Sequence, residues 1–139
     1  MIVLDTNVVS EMMARAPHPA VVHALDALTA PPALTAITVA EIRFGVAVLP
    51  KGARQRRLGE AAERMFAALG ASRILPFDEP ASAAYAKITA ARRAAGQPIS
   101  QFDAMIAAVC TVHGATLLTR NVKDFAGTGV RVQDPWREP

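Results

Sequence analysis

Short apolar runs alternate with helix-spaced amphipathic segments along the 139 residues, and this alternation constrains the fold more than any single motif. Residues 2–4 form an apolar, partly β-branched run of the kind found in strands buried on both faces. Further strands are expected over residues 33–36, 73–77, 116–119 and 130–132. Between them, residues 10–15 are expected to continue a first helix broken around Pro17, with further helices over 18–28, 38–49, 51–69 and 100–113 and a short helical turn over 122–125. Another helix starts at Asp78-Glu79-Pro80, where aspartate caps and proline suits the first turn, and stops before Gly96 and Pro98. Its buried stripe is Ala84, Tyr85, Ile88, Ala91 and Ala95. Strands and helices that alternate at this length predict an α/β fold, a parallel sheet flanked by helices with right-handed crossovers. No repeat or linker divides the chain, so residues 1–139 read as one domain.

Composition narrows the chemistry. Hydrophobic residues make up 52% and charged residues 19%, which supports a packed core and excludes a disordered chain. A single cysteine, Cys110, allows no internal disulfide and fits a reducing compartment. His18, His23 and His113 are scattered, so no Cys/His zinc cluster can be drawn. The opening MIVLDTN lacks a basic, long-apolar leader pattern, and no run reaches the ~20 apolar residues that span a bilayer. A cytoplasmic protein with no membrane partner is therefore expected. The formal charge of +3 is compatible with a phosphate-rich partner without requiring one.

With only 12 carboxylates in the chain, their placement is informative. Asp5 directly follows the first strand, at the C-terminal edge where open α/β sheets carry their ligand crevice. It can also cap the helix that follows. Glu41 and Asp103 each stand three residues after a hydroxyl residue, in Thr38-Val-Ala-Glu41 and Ser100-Gln-Phe-Asp103. Both match the capping box, and Asn121-Val-Lys-Asp124 is a looser instance. A first-turn carboxylate is favoured in its ionised form by the helix dipole, the state a metal ligand also needs. Cap and ligand thus remain compatible readings. Converged acids would repel one another and call for a cation or protons, and oxygen donors without His or Cys suit Mg²⁺ or Mn²⁺ better than zinc. Magnesium on carboxylates at the mouth of an α/β sheet implies phosphoryl chemistry.

The chain resembles the PIN-domain ribonucleases, in particular the VapC-type toxins of bacterial toxin–antitoxin pairs and their FitB-like branch. The resemblance is carried by Ile2-Val-Leu-Asp5-Thr-Asn7, Ala36-Ile-Thr-Val-Ala-Glu41-Ile-Arg-Phe-Gly45, Ile74-Leu-Pro-Phe-Asp78, Phe102-Asp103-Ala-Met-Ile-Ala-Ala108, Leu118-Thr-Arg-Asn121-Val-Lys-Asp124-Phe125 and Pro135-Trp136. It implies a three-layer α/β/α fold with a five-stranded parallel sheet of order 3-2-1-4-5. It also implies that Asp5, Glu41 and Asp103 hold Mg²⁺, with Mn²⁺ as a substitute, and that Thr6, Asn7 and Thr38 shape the pocket. Some relatives carry an aspartate where Asn121 stands here, so either Asp124 or Asn121 fills the fourth place. The implied activity is metal-dependent hydrolysis of RNA phosphodiester bonds by a toxin that a cognate antitoxin neutralises. The family also implies a homodimer that meets operator DNA only through the antitoxin.

Two other functions remain open at this level. One is a catalytically weak PIN module that acts mainly with its antitoxin in operator binding and autoregulation, for which Asn121 is the sequence support. The other is a haloacid-dehalogenase-like phosphatase, disfavoured because Asn7 stands where that chemistry wants a second aspartate. Lys51, Arg54, Arg56, Arg57 and Arg64, and likewise Arg92 and Arg93, read as solvated helix faces or as contacts to an RNA backbone. Met12, Met13, Phe44, Val46 and Leu49 are candidates for a groove that takes a partner helix. Cys110 reads as core packing, His113 as helix termination and Trp136 as a seal at the C-terminal end.

Overall fold

The computed structural model describes residues 1–137. The final two residues of the expected 1–139 domain lie outside the described residues. Among the described residues, the chain order is β1 (Ile2–Leu4), α1 (Thr6–Met12), α2 (Pro19–Asp26), β2 (Leu34–Thr35), α3 (Ala36–Ala47), α4 (Ala53–Leu69), β3 (Ile74–Leu75), α5 (Glu79–Ala94), α6 (Gln101–His113), β4 (Thr116–Leu118) and β5 (Arg131–Gln133). A 3-10 turn over Ala71–Arg73 precedes β3, and another over Val122–Phe125 joins β4 to β5.

Local chemistry sets the boundaries. Asp5 caps α1 by accepting from the backbone N–H of Thr6, so the first helix, expected to continue over residues 10–15, starts at Thr6 and ends at Met12. Thr35, not Thr38, caps α3: its hydroxyl accepts from the backbone N–H of Thr38 at 3.1 Å. The helix therefore begins two residues earlier than its apolar spacing suggests, and the strand before it shrinks to Leu34–Thr35. Asp78 caps α5 with Pro80 in the first turn, and Ser100 caps α6. Gly114 closes α6 at φ 58°, a left-handed conformation that side chains with a Cβ resist.

All strand pairs are parallel, and the ladders are two. One runs β1-β4-β5, with Leu4 opposite Leu118 and Leu118 opposite Gln133; the other is the pair β2-β3. An isolated bridge between Val3 and Ala33 joins them, through hydrogen bonds of 3.0 Å (Leu4 N to Ala33 O) and 2.9 Å (Ala33 N to Ile2 O). This corrects the expectation of one continuous five-stranded sheet in the order 3-2-1-4-5. The β2 segment turns into the Thr35 cap after two residues, leaving too little extended backbone for a full ladder on β1.

The core lies on both faces of these ladders. One cluster includes Val3, Ile88, Ile106, Val109, Cys110, Leu117 and Phe125, and packs α5 and α6 against the sheet. The other includes Leu4, Val8, Val9, Val21, Leu34, Ile42 and Phe66, and packs α1 to α4 on the opposite side. Burying a side chain of this type contributes about 1.5–3 kcal/mol, so these layers hold the C-terminal strand ends in a rigid frame. Cys110 is a core residue, its thiol pushed up to about 12 by burial, and is no nucleophile. No described helix is long and apolar enough to cross a membrane.

Candidate active site

The parallel register of β1 and β4 puts Asp5 beside Thr119, one residue beyond the paired Leu4 and Leu118. Both side chains are buried. The Thr119 hydroxyl donates to Asp5 Oδ2 at 2.7 Å, and the backbone N–H of Thr6 donates to Oδ1 at 2.8 Å. Asn7 then locks the strand ends together. Its Nδ2 donates to Thr119 Oγ1 at 3.2 Å, and its Oδ1 accepts from the Arg120 backbone N–H at 3.2 Å. The Asn121 backbone N–H also donates to Thr119 Oγ1, at 3.0 Å. Asp5 is thus both the cap of α1 and the buried acid of the crevice.

Glu41 reaches the site from α3. The Thr6 hydroxyl donates to Glu41 Oε1 at 2.8 Å and lies 3.2 Å from the hydroxyl of buried Thr38. Thr38 in turn lies 3.4 Å from the Thr35 hydroxyl. The Thr38–Glu41 capping box is therefore corrected: Glu41 is too far into the helix to cap it and turns instead to α1. Arg43, two residues on, faces away and pairs with Glu63 at 2.7 Å, leaving Glu41 without that cation.

Asp103 enters from the first turn of α6, where its backbone N–H donates to Ser100 Oγ at 3.2 Å. Asp124 lies on the exposed 3-10 turn, and Asn121 makes no side-chain capping bond there, contrary to the capping reading. That turn is held by Arg92, whose expected solvated role is also corrected. Arg92 is buried on α5, and its guanidinium donates to the carbonyls of Asp124 at 2.8 Å, Ala126 at 2.6 Å and Gln97. It staples the loop between α5 and α6 to the turn that carries Asp124.

Asp5 and Asp103 are the two acids whose ionisation the site disfavours. Burial pushes the Asp5 carboxyl above its ordinary range, and the charges of Glu41 and Asp124 raise it further, against the hydrogen bonds from Thr119 and Thr6. Asp103 is raised as well, first by burial, then by Asp5 and Asp124, while Ser100 and the charge of Arg92 pull it down. Among the described residues, no three His, Cys, Asp or Glu side chains are gathered tightly enough to form a metal cage unaided. The crevice is therefore an acidic edge with oxygen donors only: carboxylates, threonine hydroxyls and an asparagine amide. Such a set fits a hard divalent cation that keeps several of its own waters and takes one or two carboxylates, as Mg²⁺ does.

Thr119 and Arg92 are the residues to which the sequence assigned no such role. A hydroxyl one residue past β4 becomes informative only once β4 is known to lie next to β1. One of two adjacent arginines in an amphipathic helix carries no sign of the three carbonyls it will meet.

Beside Glu41 a groove of about 380 Å³ opens between α1, α3 and α4, lined in part by Met13, Ile42, Val46, Leu49, Arg54 and Leu58. It takes up three residues of the expected partner groove, Met13, Val46 and Leu49. Met12 instead packs on the core, and Phe44 is exposed. Arg56, Arg57 and Arg64 are exposed along α4. Trp136 packs against the second core cluster, with the Arg120 guanidinium carbon 5.1 Å from its ring centre.

The fold is that of an α/β protein with parallel strands, at whose C-terminal edge Asp5 follows β1 and pairs with Thr119 after β4, with Glu41 of α3 held beside it through Thr6. The chain belongs to the PIN domain family, which it matches over residues 2–129. It is 43% identical over 139 residues to Toxin FitB of Neisseria gonorrhoeae, covering 99% of this chain and 100% of that protein. It is 40% identical over 137 residues to VapC ribonuclease Y4jK of Sinorhizobium fredii, covering 98% of each. The solved structure of FitAB bound to an IR36 DNA fragment superposes with a TM-score of 0.92 at 43% identity, covering 100% of this chain and 98% of that one.

Proposed function

We propose that this chain is the toxin of a type II toxin–antitoxin system, a Mg²⁺-dependent ribonuclease that hydrolyses RNA phosphodiester bonds. The observation that carries the reading is the buried Asp5 at the sheet edge, held by Thr119 and the Thr6 N–H, with Glu41 held beside it by the Thr6 hydroxyl and, among the described residues, no cation paired with either acid. Its relatives named as a toxin and as a ribonuclease support the same reading. Asp5 and Asp103 are the direct ligands, Glu41 completes the site or orients water, and Asp124, rather than Asn121, supplies the fourth acid. Asn121 contributes its backbone N–H to Thr119.

When bound, the ion activates water and offsets charge developing on the phosphate. The chain's own part is positioning. Thr119 and the Thr6 N–H hold both oxygens of Asp5, the Thr6 hydroxyl holds Glu41, and Asn7 ties α1 to Thr119 and the Arg120 backbone. Mn²⁺ satisfies the same donors.

Residues 1–139 act as one PIN domain in the cytoplasm, and a cognate antitoxin neutralises it by occupying the groove beside Glu41. Operator DNA is met only through that antitoxin, as the DNA-bound FitAB relative suggests. The apolar, exposed Phe44 on α3 and Val48 at its C-terminal cap suit a homodimer contact.

The test is cleavage of single-stranded RNA by the purified chain, in Mg²⁺ and in EDTA. Wild type should cut only with the metal, while Asp5→Ala and Asp103→Asn should be folded, inactive and non-toxic on overexpression. Undiminished cleavage by both variants would overturn the assignment. Inert wild type that still binds operator DNA with its antitoxin would favour the non-catalytic module instead.

A further inference from the structure

A second pocket, of about 440 Å³, includes Asp124 in its lining and shares no residue with the α1–α3–α4 groove. Arg120, Asn121, Lys123, Asp124, Asp134 and Arg137 line it. Its charges are not equivalent. Asp134 is already engaged, accepting from the Trp136 backbone N–H at 2.9 Å and pairing with Arg137 at 3.4 Å. Among the described residues, neither Arg120 nor Lys123 has an ion-pair partner. Arg120 rests on the Trp136 ring, which restrains the guanidinium while leaving its in-plane N–H groups to bind an oxyanion.

The pocket is registered to the acids through the backbone. The Arg120 N–H is bonded to Asn7, and the Asn121 N–H to the same Thr119 hydroxyl that donates to Asp5. Asp124 lines the pocket and is also felt electrostatically by Asp5 and Asp103. A polyanionic strand laid across four carboxylates is repelled by them, so its neighbouring phosphates need fixed positive charge close by. Arg120 and Lys123 supply that charge from the same turn that carries Asp124.

We propose that this pocket is a subsite for an RNA backbone phosphate next to the one being cut, with Arg120 and Lys123 as its ligands and Trp136 as the platform that orients Arg120. The proposal rests on the ribonuclease reading above and adds where the strand is gripped. A phosphate grip of this kind carries no sequence preference, so it governs affinity and salt dependence rather than the choice of cleavage site.

The experiment measures binding of a fluorescein-labelled single-stranded RNA to the full chain in EDTA, across a salt series, for wild type, Arg120→Gln, Lys123→Gln and Lys87→Gln. Lys87 is an exposed cation on α5 outside the pocket. Both pocket variants should bind more weakly and lower the slope of log Kd against log salt by about 0.7 for each phosphate no longer neutralised. Lys87→Gln should leave it unchanged. With Mg²⁺ present, the pocket variants should raise KM and retain kcat. Cleavage by wild type with unchanged slopes in both pocket variants would overturn the subsite and leave the ribonuclease reading standing. Wild type that neither binds nor cuts RNA would overturn both. An equal weakening in Lys87→Gln would reduce the effect to overall charge and also overturn the subsite. Matching thermal melts show that each variant is folded.

Discussion

The Thr119 hydroxyl donates to the buried carboxylate of Asp5 at 2.7 Å, across 114 residues of chain. That bond sets one rotamer of Asp5 and joins β1 to β4 at the crevice. Thr119→Val keeps the volume and removes the donor. It should cost about 1–3 kcal/mol of stability, because Asp5 Oδ2 loses its shorter donor, keeping only Asn7 at 3.4 Å, and the Asn121 N–H loses its acceptor. RNA cleavage should fall roughly 10–100-fold, the usual effect of removing a bond that orients a metal ligand. Chemical denaturation and single-turnover cleavage measure the two effects, and wild-type activity in the variant would show that Asp5 needs no such restraint.

Stability of the metal-free protein should depend on pH through Asp5 and Asp103. Both carboxyls hold protons more tightly in the folded chain than in the unfolded one. Their ionisation therefore opposes folding: the penalty is absent below the ordinary value of 3.8 and grows as pH rises through the raised folded values. Asp5→Asn cannot ionise. Its stability relative to wild type, followed by denaturant melts in EDTA, should improve as pH rises from the acid range towards neutrality. A gap that is flat with pH would show that the Asp5 charge is not a burden on the fold.

A divalent cation should relieve the same repulsion. Addition of Mg²⁺ is expected to stabilise the wild-type chain by about 2.7 kcal/mol at a hundredfold excess over Kd. The shift in melting temperature should vanish in Asp5→Asn and shrink in Asp103→Asn. The acid limb of the activity profile should also move to lower pH as Mg²⁺ is raised, since the ion competes with protons for the carboxylates. Equal thermal shifts in all three proteins would place the ion elsewhere.

Arg92 should behave as a positioning residue. Arg92→Met leaves the carbonyls of Gln97, Asp124 and Ala126 without their donor and should cost on the order of 3 kcal/mol. Arg92→Lys keeps the charge but lacks the fork that spans those carbonyls, so it should rescue little. Hydrogen exchange should report faster opening of residues 121–128 and of the loop that carries Gln97 ahead of α6. Protection equal to wild type in both variants would show that Arg92 holds neither segment.

The chain's one-dimensional pattern determined the α/β alternation, the apolar faces and several caps. These depend on spacing and local hydrogen bonding, as Asp78 and Ser100 show at the starts of α5 and α6. It also placed Asp5 at a strand end and singled out the other three acids through the family resemblance. What spacing alone left open was which acids cap and which face the crevice. Thr38 and Ser100 both precede an acid by three residues, yet only Ser100 caps its helix; Thr35 takes that place in α3 and sends Glu41 across to Thr6. Tertiary structure alone decided the split of the sheet into two ladders, the pairing of Thr119 with Asp5 and the burial of Arg92. Each depends on segments distant in sequence coming to lie side by side, and strand register and buried charge are settled by the partners met in space.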